Sequence, residues 1–406
     1  MADRTHPTSA DPPAIVASAG RQGLAVTRGL GEQGVRVIVA HWDDDDLAAR
    51  SRHAAATVRV PQPDAGDGAF VESILALADD YPGAVLIPTT DGAVKDVASS
   101  KAALEGDFLV DCPGWEVAEL FIDKRHTYAI AADLGIALPA TFVPDDAVGL
   151  ESLVSEVRFP CLVKPRESHL WVARFGDKYT LVHSPDEMRA SYAVAREAGL
   201  EVVIQELIVG RDRNGVNYNA FRTADGVVAD CMARKVRQGP PRSGLPRVVI
   251  SAEVPEVVEP ARRLLEALGL EGFACVEFRR DERDGIYKLL EVNGRHNLSS
   301  LLSIRCGLNF PWIAYRHIVA GELPEPVSAR TGLYWIDEWL ELAFNRSQAG
   351  RDSDTWRQIL RPWAREHVFA VFDRSDPGPS RLLARQILDD AARVAAQTVR
   401  RPPARA

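Results

Sequence analysis

The stretch from Ala14 to Ala40 limits the fold more than any other. Ala14-Ile15-Val16-Ala17-Ser18 is a short apolar run, followed by the turn Gly20-Arg21-Gln22-Gly23 and a helical pattern over Leu24 to Leu30. Gly34 stops that helix, and Val35 to Ala40 is apolar again. A strand–glycine turn–helix–strand unit places its two strands side by side and parallel, joined by a right-handed crossover. The pattern then recurs. Phe70 to Ala78 is helical, Ala84 to Pro88 is a strand, and Thr89-Thr90-Asp91-Gly92 forms the loop at its carboxyl end. Open parallel sheets bind ligands at such ends. The expectation is a parallel α/β domain over 14–118, behind a polar, proline-containing tail at 1–13 that reads as disordered.

The glycine turn lacks the full dinucleotide spacing, because Gln22 stands where the second glycine belongs. The acidic run Asp43 to Asp46 lies near the distance of a ribose carboxylate. The favoured reading is a solvated charge run beside a tight turn. A ligand other than a dinucleotide also fits above this turn.

The pattern changes near Leu120. A helix opens at Asp123-Lys124, Cys161 to Pro165 and Val202 to Glu206 are strands, and Ser184-Pro185-Asp186-Glu187 is a capping box. This predicts a small α+β subdomain over 119–208. Strands at Val216 to Thr223 and Val227 to Lys235 flank the hairpin Ala224-Asp225-Gly226. Two more, Phe273 to Arg279 and Ile286 to Val292, flank Asp284-Gly285. They predict a larger, mostly antiparallel subdomain over 209–320. Residues 321–406 form a C-terminal extension with Trp335, Trp339, Trp356 and Trp363. It suits packing first, and leaves substrate recognition or a homodimer open.

Composition removes several classes of function. The 406 residues carry 48 Lys plus Arg against 57 Asp plus Glu, a net charge of −9, which argues against a nucleic-acid coat. Five cysteines without a C-x-x-C pair argue against a disulfide framework, and no Cys/His cluster has zinc spacing. The first 13 residues lack an apolar signal core, and no run nears about 18 apolar residues. These observations predict a cytoplasmic protein with neither a membrane nor a nucleic-acid partner.

The strongest local signal is Glu277 with Glu291-Val292-Asn293. In an even antiparallel register Glu277 and Glu291 share a face, and Asn293, two residues on, joins them. Two carboxylates and an amide oxygen suit Mg²⁺, which shares its shell with phosphates. The other reading is a pair of rim carboxylates held by Arg279 and Arg295. Lys164 ends an apolar strand before Pro165, and Lys124 opens a helix where its charge opposes the macrodipole. A bound anion removes that conflict. Thr89, Thr90 and Asp91 suit a polar substrate, with Asp91 holding an ammonium group, or equally a helix cap.

Lys124, Lys164-Pro165, Gln205-Glu206-Leu207-Ile208-Val209-Gly210, Glu277 and Glu291-Val292-Asn293-Gly294-Arg295 occur in the order seen in the ATP-grasp superfamily. The chain resembles its ATP-dependent carboxylate–amine ligases over roughly 14–320. The resemblance implies a parallel N-terminal α/β domain and a two-part module that holds ATP between two sheets. It implies phosphate contacts from Lys124 and Lys164, an adenine-reading edge at Gln205, Glu206 and Leu207, and a ribose carboxylate at Asp212. It places Mg²⁺ on Glu277, Glu291 and Asn293, and transition-state charge on Arg295. Lys235 and Arg237 face the phosphates or the substrate carboxylate under the same resemblance, or else form a solvated strand end. One segment departs from the family. Arg166 to Gly176 is bulky and has a single glycine, where the family commonly has a small glycine-rich loop. The implied activity joins a small-molecule carboxylate to an amine through an acyl phosphate, releasing ADP and phosphate. A catalytically silent ATP-binding protein and a dinucleotide-dependent oxidoreductase are the alternatives.

Overall fold

The computed structural model describes residues 11–165, 179–239, 244–325, 327–348 and 356–399. The first sheet holds β1 (Ala14–Ser18), β2 (Val37–His41), β3 (Ala54–Arg59), β4 (Val85–Pro88) and β5 (Leu109–Val110), in the order β3-β2-β1-β4-β5. Every pairing in it is parallel. The chain moves outward from β1 to β2 and then crosses to β4 on the other side. The carboxyl ends of β1 and β4 therefore form the switch point where such sheets bind ligands. Helix α1 (Gly20–Gly31) follows β1 directly. A Cβ on Gly23 would lie 2.1 Å from Ser18 Oγ, so only glycine lets α1 sit this close to the strand. Helices α2 (Ala69–Leu75), α3 (Asp91–Ser99) and α4 (Lys101–Leu104) complete the unit.

Two expectations for this region need correction. Asp46 is not part of a solvated run. It is 3% exposed, accepts both contacts of the Ser18 hydroxyl at 3.1 Å, and receives the Ala49 amide at 3.0 Å. Burial outweighs these bonds and holds its carboxyl above the usual range. Nor is the whole 1–13 stretch a loose tail. Val85 N donates to Pro13 O at 2.9 Å and Tyr315 Oη to Pro12 O, so residues 11–13 are pinned. Residues 1–10 lie outside the described residues.

Helices α5 (Trp115–Ile122) and α6 (Lys124–Asp133) lead to a four-stranded antiparallel sheet. Its strands are β6 (Thr141–Phe142), β7 (Cys161–Pro165), β8 (Thr180–Val182) and β9 (Val202–Glu206), in the order β6-β9-β7-β8. Helix α7 (Ala147–Leu153) and the helix Pro185–Glu197 cover one face through Leu150, Met188, Tyr192 and Ala195.

The third sheet has seven strands, β10 (Gly215–Thr223), β11 (Gly226–Gly239), β12 (Leu245–Ser251), β13 (Gly272–Arg280), β14 (Tyr287–Asn293), β15 (Tyr334–Ile336) and β16 (His367–Phe369). Their order is β14-β13-β10-β11-β12-β15-β16. The last two strands come from beyond residue 320, so the boundary expected there runs through a continuous sheet. The helix Gly378–Val399 follows, and its Leu383 packs with α1 and Trp335 in one core. Trp335 is 1% exposed, in accord with the packing reading of the tryptophan-rich segment. Arg28 of α1 meets Asp376 at 2.9 Å with both side chains 1% exposed, which fastens the C-terminal segment to the first domain. All five cysteines are buried and unbonded. Among the described residues no helix is long and apolar enough to cross a membrane.

Candidate active site

β13 and β14 pair so that Glu277 stands directly opposite Glu291, with a bulge immediately after Glu277. Cross-strand partners share a face, so the two carboxylates project side by side. Asn293 occupies the next position on that face, opposite Cys275. Gly294 then turns the chain beneath α5. A Cβ there would lie 2.5 Å from the Phe121 ring.

Each carboxylate meets a lysine from another element. Lys235 Nζ of β11 donates to Glu277 Oε2 at 2.5 Å. Lys124 Nζ, at the start of α6, lies 3.8 Å from Glu291 Oε2. Burial alone would depress the Lys235 ammonium, but Glu277 and Glu291 together hold its pKa above the ordinary value. Lys124 sits at the first helical position because Asp123 caps α6 by accepting the Arg125 amide at 3.0 Å.

Arg295 grips Asp91 in a bidentate fork, Nε to Oδ1 at 2.6 Å and Nη2 to Oδ2 at 2.8 Å. Burial would lift the Asp91 carboxyl, yet the guanidinium holds it below the carboxylate range. This fork joins the switch point of the parallel sheet to the glutamate pair. Thr90 caps α3 by accepting the Ala93 amide at 3.2 Å. Thr89 is fully buried and donates to Ala17 O at 2.8 Å. The two hydroxyls expected at a substrate are thus structural, and Asp91 is neither the cap nor open to solvent without a partner.

Lys164 and Gln205 meet on facing strands of the four-stranded sheet, Nζ to Oε1 at 2.6 Å. Gln205 Nε2 continues to Tyr128 Oη and Thr141 Oγ1, both at 3.0 Å, and Tyr128 Oη donates to Leu290 O at 2.7 Å. This chain couples the small sheet to β14, one residue from Glu291. Glu206 accepts the Ala140 amide at 3.2 Å and the Arg283 guanidinium at 2.7 Å. Leu207 O lies 3.5 Å from the same arginine. Asp212 Oδ2 accepts the Gln238 amide at 2.8 Å.

Arg237 departs from its expected place with Lys235. The strand bulges between them, and Arg237 Nε donates to Glu341 Oε1 at 2.7 Å. It also reaches the carbonyls of Gln358 and Ile359. Glu341 is fully buried and holds Arg247 at 3.1 Å as well. Glu341 lies over 100 positions from its partner and beyond the region of family resemblance, so nothing local in the sequence announced it. The segment 166–176, expected to depart from a glycine-rich loop, lies outside the described residues.

Several residues escaped sequence reasoning. Asn217 of β10 stands opposite Glu277, is 5% exposed, and its Oδ1 has no hydrogen-bond partner among the described residues. Asn297 Nδ2 donates to Asn219 Oδ1 at 2.6 Å and to Cys275 Sγ at 3.2 Å. The alternation Asn217-Tyr218-Asn219 was the available signal, since it puts two amides on one face of a buried strand. His296 stacks on Phe273 at 4.2 Å, and burial pushes its pKa down to about 3.

The donor set fits a hard divalent cation. Glu277, Glu291 and Asn293 offer only oxygen, and the orphaned Asn217 acceptor lies in the same row. Lys124, Lys235 and Arg295 balance Asp91, Glu277 and Glu291 charge for charge. A triphosphate added to this site therefore requires cations beyond those the protein places there.

A family profile described as "ATP-grasp in the biosynthetic pathway with Ter operon" matches residues 227–337. The chain is 27% identical over 259 residues to the D-aspartate ligase of Enterococcus faecium (strain Aus0004), covering 60% of this chain and 62% of that protein. It is 25% identical over 224 residues to the D-alanine–D-alanine ligase of Pseudomonas putida (strain GB-1), covering 52% and 66%. The match thus spans under two thirds of either relative. Among solved structures, biotin carboxylase from Campylobacter jejuni superposes with a TM-score of 0.64 at 16% identity, covering 80% of this chain and 74% of that one. L-amino acid ligase from Bacillus licheniformis gives 0.63 at 15% identity, covering 79% of each.

Proposed function

We propose, from the premise that this chain is an ATP-grasp protein, that it joins a carboxylate to an amine at the expense of ATP. The observation that carries this reading is the Glu277–Glu291 pair, opposed in register and met by lysines from two other elements. A carboxylate is a poor acylating agent. In the proposed reaction its oxygen bonds to the γ-phosphorus while the bond from that phosphorus to the bridging oxygen breaks, so ADP leaves. The amine, bound as its ammonium, first gives up one proton to solvent. Its nitrogen then attacks the acyl carbon, phosphate departs with the bonding pair, and the second proton leaves the nitrogen to the departing phosphate to give the amide. Catalysis of this kind rests on positioning and charge neutralisation.

Lys124 and Lys164 hold the phosphates as compact charges. Gln205, Glu206 and Leu207 present the backbone edge for the adenine, and Asp212 meets the ribose. Arg295 releases its grip on Asp91 in favour of charge that develops on the transferring phosphoryl group or the substrate carboxylate. Asp91 then accepts the ammonium of the amine partner. Lys235 orients Glu277. Glu277, Glu291 and Asn293 hold Mg²⁺, which when bound neutralises the phosphates. Arg237, Thr89 and Thr90 have structural roles instead. The relatives' names point to an amino acid as the amine.

ADP release measured across paired carboxylate and amino-acid panels tests the reading. Release that requires Mg²⁺, an acid and an amine together is the expected result. ATP binding without release across the panels would favour a silent ATP-binding protein. NADH binding without ATP binding would favour an oxidoreductase.

A further inference from the structure

We infer that Asn217 supplies a further oxygen to the cation held by Glu277 and Glu291. The inference rests on the proposed metal site and deepens it. A buried amide oxygen without a partner is rare, because folding strips its water and returns nothing. Among the described residues Asn217 Oδ1 is in that condition, and the residue is only 5% exposed. Its place is not arbitrary. In the register of β10 on β13, Asn217 faces Glu277, which faces Glu291 in turn on β14. The three side chains form one transverse row across three strands, on one face of the sheet.

Donors around this row are directed elsewhere. Lys235 Nζ donates to Glu277 at 2.5 Å, and Asn297 Nδ2 donates to Asn219 and Cys275. A carbonyl oxygen in a row of carboxylates repels more negative charge and attracts a cation. Hard divalent ions take neutral amide oxygens alongside carboxylates. With Asn293 the row offers two carboxylates and two amides. That set keeps the net charge of the shell at −2 and leaves positions for phosphate oxygens.

The test is titration of the full chain with Mn²⁺ alone, free Mn²⁺ being counted by its EPR signal. Thermal midpoints in EDTA are measured in parallel. Asn217→Leu keeps the branched side-chain skeleton and removes the oxygen. Its Mn²⁺ affinity is expected to fall about tenfold or more, the scale on which even outer partners of a metal site act. Its midpoint in EDTA is expected to equal or exceed that of the unaltered chain, since an orphaned acceptor is gone. Affinity within twofold of the unaltered chain, or a midpoint lowered in EDTA, would overturn the inference and make Asn217 a structural residue. Asn217→Asp keeps the oxygen and carries the test should the leucine variant not fold. It is expected to bind Mn²⁺ at least as tightly, and weaker binding would again overturn the inference. Failure of the unaltered chain to bind Mn²⁺ would instead remove the metal site itself, and this inference with it.

Discussion

Two clusters on the seven-stranded sheet use the same chemistry to different ends. Around Glu277 and Glu291, carboxylates meet lysines, with Glu291 35% exposed and its lysine 3.8 Å away. Around Glu341, one fully buried carboxylate meets two arginines that are 5% and 2% exposed. Lysine is a point charge on a flexible stem, and its pairing leaves carboxylate lone pairs for another cation. At Glu341, Arg237 places Nε and Nη2 on Oε1 and Arg247 lies 3.1 Å from Oε2, so two planar guanidinium groups fix the carboxylate inside the protein. The first cluster is built to exchange partners and the second to hold still. The second cluster clamps the C-terminal helix Glu338–Gln348 to β11 and β12, beside Lys235.

Substitutions separate these roles. Glu291→Gln should abolish Mg²⁺-dependent ADP release, a loss of roughly 10³-fold on the scale of removed charge-stabilising groups, while its thermal midpoint stays near that of the unaltered chain. Activity at the original level in that variant breaks the contrast on the exchanging side. Glu341→Gln should do the reverse. It strands Arg237 and Arg247 in a buried site and is expected to cost about 3–5 kcal/mol in denaturant unfolding. A cost near zero would mean the clamp holds nothing.

Acid sharpens the comparison further. His296 lies three residues past Asn293, and its pKa of about 3 sits below the unfolded value of about 6.5. The unfolded chain therefore binds the proton first. The stability from keeping His296 neutral is complete above about pH 6.5 and drains as pH falls towards 3. Between pH 6.5 and 5 the loss should be about 2 kcal/mol. His296→Phe, which keeps the stack on Phe273, should abolish that part of the pH dependence in unfolding curves at the two pH values. An unchanged slope would place the acid sensitivity elsewhere.

The smallest effect belongs to Asp91→Asn. Asp91 is half-exposed and capping belongs to Thr90, so the stability change should stay under about 1 kcal/mol. The kinetic change should be larger. With Asp91 as ammonium acceptor, the amine concentration for half-maximal ADP release rises while ATP binding is unchanged. Equal amine dependence would leave Asp91 as a resting partner of Arg295 alone.

The parallel pairing of the first sheet was legible because glycine turns and short continuous apolar runs are local signals. The Glu277–Glu291 facing was legible only in part: the hairpin pairs Arg280 with Tyr287, an odd register that alone would put the two carboxylates on opposite faces, and the bulge between Glu277 and Phe278 restores the facing. Sequence alone thus gave the fold class, the order of the lysines and glutamates, and a row of oxygen-bearing side chains on two paired strands. Tertiary structure decided which charges remain exchangeable. It gave Arg237 to Glu341, Asp91 to Arg295, Lys235 to Glu277 and Asp46 to Ser18. Two of these pairings join different sheets or a late helix, one crosses strands of the seven-stranded sheet, and the fourth joins the end of β1 to a loop of the same domain. It also carried β15 and β16 across the expected boundary at 320. The physical reason is range. Backbone periodicity is set by neighbours a few residues away, whereas the partner of a buried charge is whatever the whole chain brings within about 3 Å.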